Sequence, residues 1–388
     1  MNGSMEKIID SYSNFLFNHT GKFLAAVVLF SVLIAGQASN VETVDQQTED
    51  FLPDSIPVIS AFNVLDAEFV TGGSTTYTVL IEPRPDHANS NEIRDVRDPE
   101  FLRYVETISN DFRTIDRINS VQSPSDLFRT IPSSQANVQQ TLNTLGEPRY
   151  SQFISEDYQA VKISLTSSGL NSEQQDQIGL RIKDTIEAHE KSSAFDISYS
   201  GQVFIDQAFQ NQSQSTMQLT SIASLLGVML VVIFLFRSIY YGLNSLLTVV
   251  FGIAIGFGLY GLFGLNITPQ TSGAISLGIG IAIDFGIQPI ARYREERNEI
   301  GIKESLQQTI KGVITPMTIG LIAANIGFMA LAVGKLTFLS DLGILLTLTT
   351  TMAYFSAFTI IPSALVLYDR YFTDENNSEF TLSKIIPK

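Results

Sequence analysis

An acid stands where hydrocarbon is expected. In GIGIAIDFGIQPIARYREE, residues 278–296, nearly the first two-thirds is small and apolar, and Asp284 lies well inside it. An ionised Asp at the centre of a spanning helix costs roughly 2.5–3.5 kcal/mol on insertion scales. Removal from water penalises the charged form, so such a group is poised to gain and lose a proton. If it met water from alternate sides of a membrane, it could carry protons down their gradient. The electrical part of that gradient is worth about 2.3 kcal/mol per charge per 100 mV. A hydrogen bond within a static bundle is the other role open to it.

The surrounding spacing supplies companions. Gly280 lies one turn before Asp284 and Gln288 one turn after. Gly273, Gly278, Gly280, Ala282 and Gly286 make this helix thin, and Gly252 and Gly256 repeat a four-residue spacing in the preceding run. Small residues let membrane helices approach closely. In LLTLTTTMAYFSAF, Thr347, Thr350 or Thr351, and Tyr354 recur at helical spacing and place hydroxyls along one face. Counting about 1.5 Å per residue puts Thr351 and Tyr354 at the depth of Asp284. They could orient water or relay a proton, although a helical Thr in a membrane also bonds its own backbone. Asn325 is a further candidate for the relay.

The elements that must hold these residues are apolar runs of near spanning length. Six are expected, at about 22–38, 217–236, 243–265, 270–291, 312–333 and 341–367. Each is close to the ~20 residues that cross ~30 Å of hydrocarbon. Between Arg237 and Asp284 there is no Asp, Glu, Lys or Arg. The first run also reads as a signal peptide, with Lys7 and Lys22 ahead of an apolar core and AGQA as a small-residue cleavage site. An uncleaved anchor fits better, because it gives an even span count. Arg237, Arg292, Arg294, Arg297, Lys303, Lys311, Arg370, Lys384 and Lys388 fall on one side, and only Lys335 on the opposite links. The positive-inside rule then predicts cytoplasmic termini (1–21 and 369–388) and an exterior block at 39–215, with spans two to six within 216–368.

The block at 39–215 reads as two β-α-β units. TTYTVLIE (75–82) alternates like a strand, residues 98–118 place Phe101, Val105, Ile108, Phe112 and Ile115 at helical spacing, and NSVQSPS suggests a short strand. A second strand at 158–166 precedes a helix capped by Asn171 or Ser172, and FDISYSG (195–201) closes the unit. Two such units can pack as a ferredoxin-like α/β sandwich. Residues 121–150 read as a linker with a helical hairpin, either a surface connection or a flap over a substrate cleft. Phe62, Phe69, Phe101 and Phe112 read as core. TGGS (71–74) and SGLNS read as turns.

Composition excludes several chemistries. The chain has no cysteine, so disulfides and thiol catalysis are impossible, and His19, His87 and His189 are scattered, which argues against a zinc site. Residues 37–215 hold 27 Asp/Glu against 12 Lys/Arg, so the whole net charge of −15 lies there. An acidic block argues against nucleic acid or anionic lipid as a partner. No Ser/His/Asp set, phosphate-cradling loop or HExxH motif occurs, and no cofactor or metal is indicated.

One span, a large exterior block, and five further spans with Asp in a small-residue span ending in RYREE form a recognisable layout. It resembles the resistance–nodulation–division (RND) superfamily, in the hydrophobe/amphiphile branch of MmpL, hopanoid-exporter and Patched-like proteins. The residues that carry the resemblance are LGIGIAIDFGIQPIARYREER (277–297), NIGFMALAV (325–333), DLGILLTL (341–348) and IIPSALVLYDR (360–370). The resemblance implies a polytopic α-helical membrane protein of six transmembrane helices with an α+β exterior domain of two ferredoxin-like units. It implies a proton-driven exporter of lipids or other hydrophobic and amphiphilic molecules in the plasma membrane, with Asp284 at the family's acidic position, and no enzyme activity. Three departures stand out. Phe285 and Gln288 occupy positions where the family usually has Tyr and His, and Ala323 and Ala324 replace a common Thr pair. Full-length relatives contain this unit twice, so a homodimer with two Asp284 side chains near its axis is expected. The alternatives are a non-transporting lipid sensor with a sterol-sensing-like bundle and an accessory of protein export similar to SecD/SecF.

Overall fold

The computed structural model describes residues 3–41, 74–83, 95–190, 195–268, 271, 273–334 and 336–372. Two compact units emerge, Asp54–Asn211 and the pair Met1–Pro53 with Gln212–Lys388. Phe62, Phe69, His87, Lys335, Lys384, Lys388 and most of TGGS lie outside the described residues.

The α/β unit follows the alternation of its sequence. Strand β1 (Thr75–Pro83) leads to α2 (Pro99–Arg113) and the short β2 (Ser120–Gln122). After a helical segment, α3 (Gln135–Leu145), and a one-turn helix, Glu147–Tyr150, come β3 (Val161–Ser167), α4 (Ser172–Glu190) and β4 (Phe195–Ser200). The strands form one antiparallel sheet in the order β2-β3-β1-β4. Tyr77, Val79 and Ile81 alternate into its core, opposite Leu165, Ile163 and Val161 in register. Helix α2 buries Phe101, Val105, Ile108 and Phe112 against them, and α4 buries Ile178, Ile182 and Ile186. Each such side chain contributes about 1.5–3 kcal/mol of burial. Caps set the helix starts. Asp98 accepts from Glu100 N–H at 2.7 Å ahead of Pro99. Of the two candidates for α4, Asn171 is the cap: its Oδ1 accepts from Gln174 N–H at 2.9 Å, and Gln174 Oε1 accepts from Asn171 N–H in return.

The helical unit contains α1 (Gly3–Ala35), α5 (Gln202–Phe236, whose first ten residues belong to the other unit), α6 (Ile239–Leu262), α7 (Ala274–Arg297), α8 (Ile302–Leu331) and α9 (Thr337–Phe372). All six are long and apolar enough to cross a membrane. Helices α1, α5, α8 and α9 begin ahead of the expected apolar runs because polar turns continue them, whereas α6 ends at Leu262 and α7 begins at Ala274, inside the expected bounds. The largest difference is at the N-terminus, where helix begins at Gly3 and kinks at His19 (φ −123°, ψ 25°) instead of starting near residue 22. Ile9, Ser13, Leu16 and Thr20 recur on one face and are buried. Tyr12 donates to the Phe358 carbonyl at 2.6 Å, Asp10 pairs with Lys311 at 2.7 Å, and Arg370 donates to the Phe17 carbonyl at 3.0 Å.

Glycine decides which helices touch. A Cβ on Gly252 or Gly256 would stand 2.7 Å from the α9 backbone at Ala353 and Thr349. One on Gly286 would strike the Ser245 carbonyl of α6. Gly278 would make ordinary contact, at 3.6 Å from Thr349 Oγ1. Gly273 and Gly280, also expected as packing positions, face open space in the single chain. For Gly280 the reason is its place on the outward stripe of α7.

Candidate functional site in the helical unit

Helix α7 has two unlike faces. Ile279, Ala282, Ile283, Phe285, Gly286, Pro289, Ile290 and Tyr293 are buried against its neighbours. Leu277, Gly280, Asp284 and Gln288 form an exposed stripe at spacings of three and four residues. Asp284 therefore sits mid-helix, on the outward side of its own unit. It has no hydrogen bond or ion pair among the described residues, and Gln288, one turn on, has no partner there either.

Three of the residues expected to serve Asp284, namely Asn325, Thr351 and Tyr354, join Thr318 in a separate polar column between α8 and α9. Asn325 Nδ2 donates to Thr351 Oγ1 at 2.9 Å. One turn along α9, Tyr354 Oη and Thr318 Oγ1 are 2.6 Å apart. Thr318 also donates to the Ile314 carbonyl at 2.6 Å. A hydroxyl carries one hydrogen, so Tyr354 is the donor to Thr318. Asn325 Oδ1, Thr347 Oγ1 and Thr350 Oγ1 are buried without hydrogen-bond partners. No hydrogen bond joins the column to Asp284 among the described residues. The link between them is Phe285, whose ring meets Tyr354 edge-on at 6.0 Å. Thr318 was not among the sequence candidates. Its only signal is a separation of two helical turns from Asn325.

Beside the stripe, α5 and α7 flank an open groove of about 340 Å³. Val228, Val231 and Val232 line one wall, Ile283 and Ile287 the other, with Gly227 and Gly280 leaving the space between. Its polar edge includes Ser276, whose Oγ is buried without a partner. The composition suits an apolar chain carrying a small hydrogen-bonding group.

The C-terminal end of α7 is pinned to α9. Tyr293 Oη donates to Asp369 Oδ2 at 2.7 Å, and Arg297 Nε donates to the same oxygen at 3.0 Å. Arg294 donates to the Phe236 carbonyl at 2.7 Å. The RYREER run thus contributes side chains that fasten helices, in addition to the charge that its composition announces. Among the described residues no group of three His, Asp or Glu is placed to hold a metal ion.

Comparison with known proteins gives concordant matches. A family model described as the MMPL family covers residues 50–379. The membrane protein MJ1562 of Methanocaldococcus jannaschii is 23% identical over 374 residues, 95% of each chain. The membrane protein SCO6666 of Streptomyces coelicolor is 24% identical over 55% of this chain and 31% of its own length. The hopanoid transporter HpnN of Rhodopseudomonas palustris is 23% identical over 40% of this chain and 19% of its own length.

Proposed function

From the premise that this chain belongs to the MMPL family, we propose that it is a secondary transporter that exports hydrophobic or amphiphilic molecules, lipids among them, with protons as the driving ion. The observation that carries this reading is the stripe on α7. A carboxyl group in the middle of an apolar helix, without a partner among the described residues, is suited to exchange protons. The apolar groove beside it offers room for the tail of a substrate. The similarity to a hopanoid transporter supports the lipid or hydrophobe class.

In this reading the protein lies in the plasma membrane with both termini in the cytoplasm. The α/β unit is exterior, and its β-α-β order, used twice in one antiparallel sheet, supports a ferredoxin-like porter module. The column of Asn325, Thr318, Thr351 and Tyr354, with the buried hydroxyls of Thr347 and Thr350 on the same helix α9, conducts water-borne protons toward the level of Asp284, and Gln288 steadies the carboxyl as a neutral neighbour. A second copy of this chain covers the stripe, bringing two Asp284 side chains near a twofold axis.

The test is transport in proteoliposomes under an imposed pH gradient. Asp284→Asn should reduce gradient-dependent flux by at least about tenfold, the equivalent of roughly 1.4 kcal/mol. Equal flux in the variant and the native chain would end the proton reading. The absence of titrating groups at Phe285 and Gln288 favours a second reading, a non-transporting lipid sensor. It predicts lipid binding with no gradient-dependent flux in either protein.

A further inference from the structure

A cavity of about 250 Å³ lies in the α/β unit. It is lined by Glu147, Tyr150, Ser151, Ile154, Glu156 and Tyr158. Backbone contacts anchor its walls. Ile154 is buried in the core and bridges to Val161. Tyr158 adopts φ +57°, an uncommon conformation for a residue of its size, and its carbonyl accepts from Val96 N–H at 3.1 Å. Gly146, at φ +82°, turns the chain into Glu147. The two phenols approach within 3.2 Å and their rings lie stacked, with centroids 6.3 Å apart.

The lining carries one sign of charge. Glu147 and Glu156 are exposed at the rim and make no ion pair among the described residues. Among the described residues no basic side chain lines the cavity. Asp157 adds to the negative field. The Ser155 hydroxyl, and then the Gln159 N–H, hold its carboxyl below the usual range. Tyr158 already accepts one cation, since the Arg97 guanidinium stands 4.1 Å from its ring centroid. Asp95 pairs with that guanidinium, so its charge does little to repel a second cation.

We propose that this cavity binds an organic ammonium cation of the trimethylammonium type, held by the Tyr150 and Tyr158 rings and by the carboxylates of Glu147 and Glu156. Electron-rich rings with carboxylates at the rim attract a soft, weakly hydrated cation. A metal ion would need more oxygen ligands than two glutamates supply. The volume falls below the ~300–1,000 Å³ of pockets that enclose a drug-sized ligand, so a head group fits better than a whole amphiphile. The site lies in the α/β unit and does not depend on the proton reading of Asp284.

The test is saturation-transfer NMR on the full chain in dodecyl maltoside micelles, which contain no N-methyl groups. Choline should receive saturation at its N-methyl protons, and dimethylbutanol, its uncharged carbon isostere, should bind about fivefold more weakly or worse. Glu147→Gln combined with Glu156→Gln should weaken choline binding by a similar factor, and both side chains are exposed enough for the fold to persist. Displacement of choline by lysophosphatidylcholine would assign the ammonium to a lipid head. Failure to displace would leave a free quaternary ammonium compound as the ligand, and both results retain the site. No transfer to choline, equal binding of the isostere, or an unchanged signal in the double variant would overturn it.

Discussion

Asn325 satisfies its amide nitrogen at Thr351 and leaves its amide oxygen buried and unpaired. An unsatisfied buried acceptor costs about 1–3 kcal/mol. A chain selected for stability alone would have leucine there, of similar volume and without the penalty. Asn325→Leu is therefore expected to hold or raise the thermal midpoint, followed by far-ultraviolet circular dichroism in detergent, while lowering gradient-driven flux. A fall in the midpoint of several degrees with flux intact would mean that Asn325 serves packing only. The sequence made Asn325, Thr351 and Tyr354 visible as polar residues in apolar surroundings. It did not show that they bond across α8 and α9, away from Asp284, because helical spacing gives a residue's angle on its own helix and says nothing about the neighbour it meets.

At the scale of elements, close packing of α6 on α9 rests on missing Cβ atoms. A side chain at Gly256 must displace the α9 backbone at Thr349, whereas one at Gly273 meets nothing. Gly256→Ala should lower stability by about 1–3 kcal/mol, as overpacking does, and Gly273→Ala should stay within about 0.5 kcal/mol. Equal effects in the same melts would contradict the packing. Both positions looked alike in the sequence. Protein-facing and lipid-facing sides of a membrane helix are both apolar and small, so hydropathy locates a helix without orienting it. The alternating strands and the amphipathic α2 were legible for the opposite reason, since one of their faces meets water. The N-terminal half of α1 was not, because the face that it buries contains Ser13 and Thr20, polar residues that interrupt its apolar pattern.

At the scale of the whole molecule, the net charge is confined to residues 37–215, while the apolar helices leave the α7 stripe uncovered. The proposed twofold is testable on a clean background, because the chain has no native cysteine. Leu277→Cys and Gly280→Cys should each give an oxidised dimer in lipid vesicles. Ile319→Cys, on the exposed side of α8, should not. Crosslinking at Ile319 with none on the stripe would place the partner elsewhere. Timing enters through the bond from Tyr12 to the Phe358 carbonyl, whose partners are 346 residues apart. At roughly 5–20 residues per second of synthesis, the first helical turns must wait about 20–70 s for the strand of nascent chain that completes their seat. Until then Ile9 and Leu16 are without their final neighbours, so the first turns of α1 are among the last parts to settle, and chaperones acting on them would have to arrive early and leave late.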